Sequence, residues 1–452
     1  MEEDASEVRT GRMSYWYRRL LLLAVPLILS NLTQPLLSTV DAILSGHLPG
    51  PAALGGVALA GTFFNTIYWT FGFLRMATTG LVAQAHGAGE HDRLLHHFGR
   101  AFVTALLIGT AILLVRKPLI SISLGLLGAG PEVHANAQIY CGIRIWSAPA
   151  ALINYTVLGY LLGTQRARTA LVLQAFINLV NVGFALFLVL YLHWGVAGIA
   201  TATFFAEWSG CLLGLGILAT SGIHFLRFRI RELTNRHTLL HLFSLNRDIF
   251  LRTLGLVAAY AWFTRTGART GDAVLAANAV LLNFQMIAAY GLDGFANAAE
   301  ALVGESVGAR RQGDYRSILR AVAFSALIVA AIISLVYCVF GVQIIALFTN
   351  QQTIRALASQ FLPWVILLPI VSVWSFLLDG IFIGATRGAD LRDSMFISFL
   401  GFLGLSLLLG HAFGNHGLWA AMLAFMTLRG VTLAVRLPRL EKEAFALVHA
   451  SI

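Results

Sequence analysis

The chain is poor in charge, in lysine and in cysteine, and each shortage removes a class of function. Asp, Glu, Lys and Arg make up 12% of its 452 residues, where soluble domains carry roughly 25%. With 58% hydrophobic residues and a mean hydropathy of +0.77, it reads as an integral membrane protein. Lysine occurs at Lys117 and Lys442, and neither follows the glycine pattern of a phosphate-cradling loop, which disfavours a nucleotide-driven pump. Cys141, Cys211 and Cys338 lie in apolar segments without paired spacing, so neither a disulfide nor a metal site is expected. The absence of an HExxH or paired-cysteine motif disfavours a membrane enzyme, and no cofactor is expected. The first nineteen residues mix acids with arginines, and the apolar run after them is too long for an h-region, so no cleavable signal peptide is expected.

What is present is a series of apolar runs, each long enough to cross a bilayer. Spans of about 20 residues fall near 18–45, 52–86, 98–116, 137–163, 168–191 and 196–220, then near 247–267, 273–307, 318–341, 356–386, 393–412 and 417–436. The connectors hold breakers such as HLPGP and LGAGPEVH. The expected fold is therefore an all-α membrane protein of twelve transmembrane helices.

The net charge of +10 is a topology signal. Arg9, Arg12, Arg18, Arg19, Arg93, Arg100, Arg166, Arg168, the arginines of 227–247, Arg310, Arg311, Arg316, Arg320, Arg387, Arg392, Arg436, Arg439 and Lys442 fall on one set of helix ends. The other ends hold Arg116, Lys117, Arg265, Arg269 and Arg355. The excess of positive charge on cytoplasmic loops places both termini in the cytoplasm, and no nucleic-acid partner is expected.

The chain also repeats itself. GLVAQAHGAGEHDRLLHHFGRA resembles ALVGESVGARRQGDYRSILRAV with Gly87 on Gly308, a shift of 308 − 87 = 221. GYLLGTQRAR meets GIFIGATRGA with Gly163 on Gly384, again 221. Pro149 with Pro369, and Gly195 with Gly417, agree within one residue. Each half holds six spans, so both enter the membrane with the same orientation, as lobes related by a pseudo-twofold axis along the membrane normal. The expected divisions are a tail 1–19, an N-lobe 20–221, a linker 222–246, a C-lobe 247–437 and a tail 438–452. Two lobes that rock about a site between them are the architecture of a secondary transporter.

Within the first span, Gln34, Ser38, Asp41 and Ser45 form one polar stripe with Asn31 beside it, because residues three or four apart share a helix face. An acid at the centre of a spanning helix costs about 2.5–3.5 kcal/mol on insertion scales, so Asp41 should face protein or water. Pro35 removes a backbone hydrogen bond just before it and invites a kink. Burial disfavours the charged carboxylate, so such a group can take up a proton on one side and release it on the other. The alternative is a structural hydrogen bond inside the lobe.

PLLSTVDAILSGHL, LRMATTGLVAQAHGAG, IWSAPAALINYTVLGYLLGTQ and LLDGIFIGATRGADLRDSM resemble the MATE (multidrug and toxic compound extrusion) transporters, most of all their DinF-like branch, over about residues 20–436. The resemblance implies two six-helix lobes, a V-shaped cavity, and export of organic, often cationic compounds in exchange for H+ or Na+. The family's first-helix acid matches Asp41 as ion carrier. Its fifth-helix pattern, Asn-x-x-Asn-x-x-x-Asp, falls on Asn178, Asn181 and Ala185, so the second acid is missing. Spacing places Gln174, Asn178, Asn181 and Ala185 on one helical face. A sodium ion prefers several oxygen ligands with charge among them, so the loss favours H+ over Na+ as coupling ion.

Asp293, Asn297 and Glu300 lie at i, i+4 and i+7 in the eighth span, and the shift of 221 carries them to Gly72, Met76 and Thr79. They are a candidate site for substrate or a second proton, against pairing with Arg252 or Arg429. Asp379 reads as a cavity acid or as the partner of a helix-end arginine such as Arg387. Arg75 and Arg144 either neutralise Asp41 or snorkel, and Glu207 reads as an interhelical hydrogen-bonding group. Gln34, Ser38, Phe63, Phe64, Tyr68 and Trp69 are candidate cavity lining, the alternative for the aromatics being lipid-facing or packing positions. The expected function is proton-coupled export of small organic, cationic or amphipathic compounds across a bacterial inner membrane. The alternative is a flippase for lipid-linked or polyanionic glycans.

Overall fold

The computed structural model describes the backbone of residues 2–128, 130–221 and 236–449, and side chains for 13–33, 37–128, 130–221 and 244–446. Residues 222–235 of the expected linker and the Gln34 side chain lie outside the described residues. Among the described residues every regular element is helical. The helices are α1 (Glu2–Gly46), α2 (Pro51–Thr70), α3 (Phe73–Gly87), α4 (His91–Leu114), α5 (Arg116–Leu127), α6 (Pro131–Arg144), α7 (Ala148–Gly163), α8 (Ala167–Leu186) and α9 (Gly195–Thr220), then α10 (Arg236–Arg269), α11 (Asp272–Gly308), α12 (Gln312–Phe348), α13 (Gln352–Gly384) and α14 (Gly388–His449). Prolines open helices where the sequence breakers fell: Pro51 and Pro131 each sit in a first turn, where the missing N–H costs nothing.

Ten stretches are long and apolar enough to cross a membrane among the described residues. The last of them is bent at Gly414 (φ 56, ψ −133) into two arms, which accounts for the spans expected at 393–412 and 417–436. α10, interrupted by Arg247, Asp248 and Arg252, covers the span expected at 247–267. Three expectations change. The fourth span is two helices, α6 and α7, joined by a 3-10 turn at Ile145–Ser147. The second span is two helices, α2 and α3, parted by a turn at Phe71–Gly72, whereas its repeat partner α11 runs unbroken. An additional helix, α5, precedes the fourth span. α1 is helical throughout, Pro26 and Pro35 included.

The repeat extends to the turns. Left-handed backbone occurs at Gly50 and Gly271, Gly89 and Arg310, Gln165 and Thr386, and His193 and Gly414. Each pair is 221 residues apart (271 − 50, 310 − 89, 386 − 165, 414 − 193). A threonine in this region is a costly choice for a β-branched side chain, so the turn geometry is held by its surroundings rather than by residue preference.

The described chain forms two compact units. One comprises 32–82 and 90–242; the other comprises 1–31, 83–89 and 243–452, the boundary in α1 falling between Asn31 and Leu32. In the first unit α2 packs on α6, α4 on α7, and α8 on α9. One close crossing is at the Gly-x-x-x-Gly of α7: a Cβ at Gly159 would stand 2.7 Å from the Arg75 carbonyl oxygen, and one at Gly163 2.8 Å from that of Thr79. In the second unit α13 crosses α11 in the same way, Gly380 against the Ala296 carbonyl and Gly384 against that of Glu300. All four positions shift by 221 (380 − 159, 384 − 163, 296 − 75, 300 − 79). Small residues let membrane helices approach this closely.

The second unit also holds the end of α3. Gly87 lies on the Glu305 carbonyl and Gly308 on that of Gln84, a reciprocal pair (308 − 87 = 305 − 84) of the kind a local twofold axis generates. Glu305 accepts from Arg19 at 2.8 Å, and Gln84 donates to the Gly384 carbonyl at 2.9 Å. The hydrophobic core of this unit gathers Phe263, Phe284, Phe402, Trp419 and Phe425.

Candidate functional site

In the first unit, polar groups from α1, α2, α6 and α9 converge. Asp41 is half-buried, and its Oδ1 is shut off from solvent without a hydrogen-bond partner. Arg144 is its charged neighbour. The Arg144 guanidinium carbon lies 4.5 Å from the Phe64 ring centroid, 5.7 Å from Tyr140 and 6.0 Å from Tyr68. Its Nη1 donates to the Tyr140 hydroxyl at 3.0 Å. The helical repeat supplies this cage: Phe64 and Tyr68 are one turn apart on α2, and Tyr140 and Arg144 one turn apart on α6. Glu207 on α9 is a second carboxylate in electrostatic range of Arg144, and it accepts from Asn154 Nδ2 at 2.8 Å.

The two α8 amides go elsewhere. Asn178 Nδ2 donates to Thr33 Oγ1 at 2.7 Å and its Oδ1 accepts from Gln174 at 3.3 Å. Asn181 is buried and donates to Thr203 Oγ1 at 2.9 Å, leaving its Oδ1 without a partner. Each amide thus ties α8 to a neighbouring helix. Of the expected stripe on α1, Ser38 is exposed and Ser45 bonds back to the Ala42 carbonyl, while Asn31, which belongs to the second unit, donates to the Tyr290 carbonyl within it. Phe63 is buried, whereas Trp69 is 57% exposed.

The repeat sets Asp41 against a hydrogen-bonded counterpart. The shift of 221 carries Asp41 to Trp262 and Ala185 to Ser406 (262 − 41, 406 − 185). In the second unit those residues are hydrogen-bonded, Trp262 Nε1 donating to Ser406 Oγ at 2.9 Å. Ala185, fully buried, offers no such group.

The second unit has its own polar centre. Asp379, on α13, accepts through Oδ2 from Arg252 of α10 and from Arg429 of α14 at 2.5 Å, all three being buried. Its partners are therefore the arginines within the helices, while Arg387 binds Asp390 and Glu443. Asp293 and Asn297 are half-buried and Glu300 is buried. Tyr260 lies within electrostatic range of both Asp293 and Arg429.

Tyr140, Thr33, Thr203 and Asn154 escaped the sequence reading. For Tyr140 a signal existed, its i, i+4 spacing to Arg144. The others are single polar residues on apolar helices, visible only through their partners.

Twice-repeated spanning helices with ionisable groups inside them define a multi-pass membrane transporter. Comparison with known proteins narrows this. The MatE family pattern matches residues 26–187 and 235–411. The chain is 42% identical to the DNA damage-inducible protein F of Escherichia coli (strain K12), covering 91% of this chain and 90% of that one. It is 24% identical to the multidrug resistance protein PmpM of Pseudomonas aeruginosa, covering 93% and 91%. Among solved structures it is similar to a MOP superfamily transporter from Pyrococcus furiosus (TM-score 0.85, 18% identity, 96% of each chain). It is equally similar to a multidrug resistance MATE family transporter in an outward-facing conformation (TM-score 0.85, 18% identity, 94% and 97%). The chain belongs to the MatE family of multidrug efflux transporters, and it has that family's all-α, two-lobed membrane fold.

Proposed function

We propose that this protein is a secondary antiporter that exports organic, cationic or amphipathic compounds in exchange for protons, with Asp41 as the proton carrier. The observation that carries the reading is the partnerless Oδ1 of Asp41. An acid with an unused oxygen inside a spanning helix gains by protonation, since a neutral carboxyl is far cheaper to bury than a carboxylate. Asn178 and Asn181 hold α8 in register beside this site. A sodium ion would need several oxygen ligands around Asp41, and Ala185 supplies none, which favours H+. Protonation would redistribute Asp41 and Arg144 among their neighbours and change access to the site as the two lobes, 20–221 and 247–437, alternate.

The protein would work in the bacterial inner membrane with both termini in the cytoplasm, as its arginines ask. Asp293, Asn297 and Glu300 remain the candidate substrate or second proton site of the other lobe. Asp379 has its charge committed to Arg252 and Arg429 and suits a structural part. A glycan flippase would draw on Arg75, Arg144 and Arg252 as anion contacts; of these Arg252 is paired with Asp379 and Arg144 stands near the carboxylate of Asp41.

The test uses proteoliposomes with H+ and Na+ gradients imposed separately. Wild type should release protons on addition of an organic cation, and Asp41→Asn should abolish that release while folding normally. Unchanged proton release in the variant, or transport driven by Na+ alone, would overturn the reading.

A further inference from the structure

The aromatic cage of the first unit already holds a cation, and it is the protein's own. Phe64, Tyr68 and Tyr140 surround the Arg144 guanidinium at 4.5–6.0 Å, the range in which a ring quadrupole attracts a positive charge. Three rings about one planar cation are the arrangement that recognises organic cations in general. Phe64 is fully buried and forms the floor, while Tyr68 and Arg144 are half-buried, so the cage has an open side. The occupant is held by one hydrogen bond to Tyr140, and its buried Nε has no partner. Two carboxylates, Asp41 and Glu207, lie in electrostatic range as alternative destinations.

The other unit is informative by contrast. The equivalents of Tyr140 and Arg144 are Phe361 and Val365 (361 − 140 = 365 − 144 = 221), both packed in its hydrophobic core. A scaffold that fills this position with valine once has no architectural need for arginine there. The arginine is also expensive, since its guanidinium must be desolvated on a membrane helix.

We infer that Arg144 is a tethered occupant of a cation-binding site, and that it determines specificity. A planar aromatic cation enters the Phe64–Tyr68–Tyr140 cage by displacing the guanidinium toward Asp41 and Glu207. A neutral compound of the same shape gains nothing from that exchange. The inference builds on the proposed transport of organic cations, naming the class and the subsite.

The test is equilibrium binding to the purified full-length protein in lipid nanodiscs, with no gradient present. The probes are N-methylphenanthridinium and neutral phenanthridine, matched in shape. Arg144→Gln should tighten binding of the cation about tenfold and leave the neutral probe within about twofold, as a vacated desolvated cage predicts. Arg144→Lys, which keeps a cation in place, should stay within about threefold of wild type for both probes. Should the glutamine variant not fold, Arg144→Met serves the same purpose, filling the space without charge.

The proposal is overturned if removing the charge leaves cation binding unchanged. It is equally overturned if both probes tighten together, which would mean that the variant only enlarged a space. Because no gradient is imposed, this result stands apart from the proton-release test of Asp41. Tighter cation binding by Arg144→Gln with no proton release from wild type would support the cage and sink the coupling.

Discussion

The two units are built on one template, yet they spend their polar residues at different places. In the first, the template positions of α1, α6, α8 and α9 carry Asp41, Tyr140, Arg144, Asn181 and Thr203. In the second, the same positions carry Trp262, Phe361, Val365, Phe402 and Phe425, the shift being 221 up to α8 and 222 beyond Gly195 (425 − 203). Where Asn181 donates to Thr203 at 2.9 Å, Phe402 meets Phe425 with centroids 5.5 Å apart. A hydrogen bond has become a ring contact at the same joint between the same two helices. What is a polar centre in one unit is hydrophobic core in the other.

The charges reverse as well. Glu207 of the first unit corresponds to Arg429 of the second (429 − 207 = 222). Glu207 accepts from a neutral amide, Asn154, and Arg429 donates to a carboxylate, Asp379. The scaffold is therefore indifferent to the sign of the charge at this joint; it requires that the group be paired. Both units leave buried polar atoms without a hydrogen-bond partner, Asp41 Oδ1 and Asn181 Oδ1 in the first and the Nε atoms of Arg252 and Arg429 in the second. The carboxylate of Asp379, however, is doubly paired, where Asp41 keeps an unused oxygen.

The largest effect is expected at the backbone. Gly384 meets a carbonyl of α11 that cannot move aside, so Gly384→Leu should yield no monodisperse protein in detergent. Gly183→Ala, at a position with open space around it, should behave as wild type by size-exclusion chromatography. Normal behaviour of Gly384→Leu would show that the crossing does not hold the unit together.

The next effect concerns the paired centre. Asp379→Asn leaves two buried guanidiniums without their counter-charge and should cost about 3–5 kcal/mol of stability, read as a large fall in the thermal denaturation midpoint. Glu207→Gln keeps an oxygen for the Asn154 amide and removes only the charge, so a charge-assisted hydrogen bond becomes a neutral one at a cost of about 1 kcal/mol. Equal losses would refute the view that the second unit's centre is structural and the first unit's is loosely held.

The smallest effect tests the missing partner. Ala185→Ser copies Ser406 and offers the Asp41 oxygen a donor, so stability should rise by about 1 kcal/mol. Destabilisation would mean that the Trp262–Ser406 pairing is no guide to where Asp41 points.

Much of this was legible without coordinates. The membrane class followed from 12% charged residues, because hydrocarbon excludes charge at every position along a span. The repeat was legible because close helix crossings demand the same small residues in both halves: Gly159 and Gly163 recur as Gly380 and Gly384 for steric reasons. Asp41 stood out because an acid on a spanning helix is costly wherever it points. The break between α2 and α3 escaped notice, since Phe71–Gly72 interrupts an apolar run without a charge or a proline to mark it.

Partners belong to the other category. Asp379 stood within two turns of Arg387 in sequence, yet its charge goes to Arg252 and Arg429, which lie 127 and 50 residues away. Arg144, one of two arginines eligible to face Asp41, stands beside it within three rings contributed by two helices. The sequence by itself determined which residues are expensive to place in a membrane, because that cost depends on the residue and on the apolar run around it. Tertiary structure alone decided how each expense is met, because pairing depends on which helix faces are brought together, and periodicity along one helix carries no information about the next.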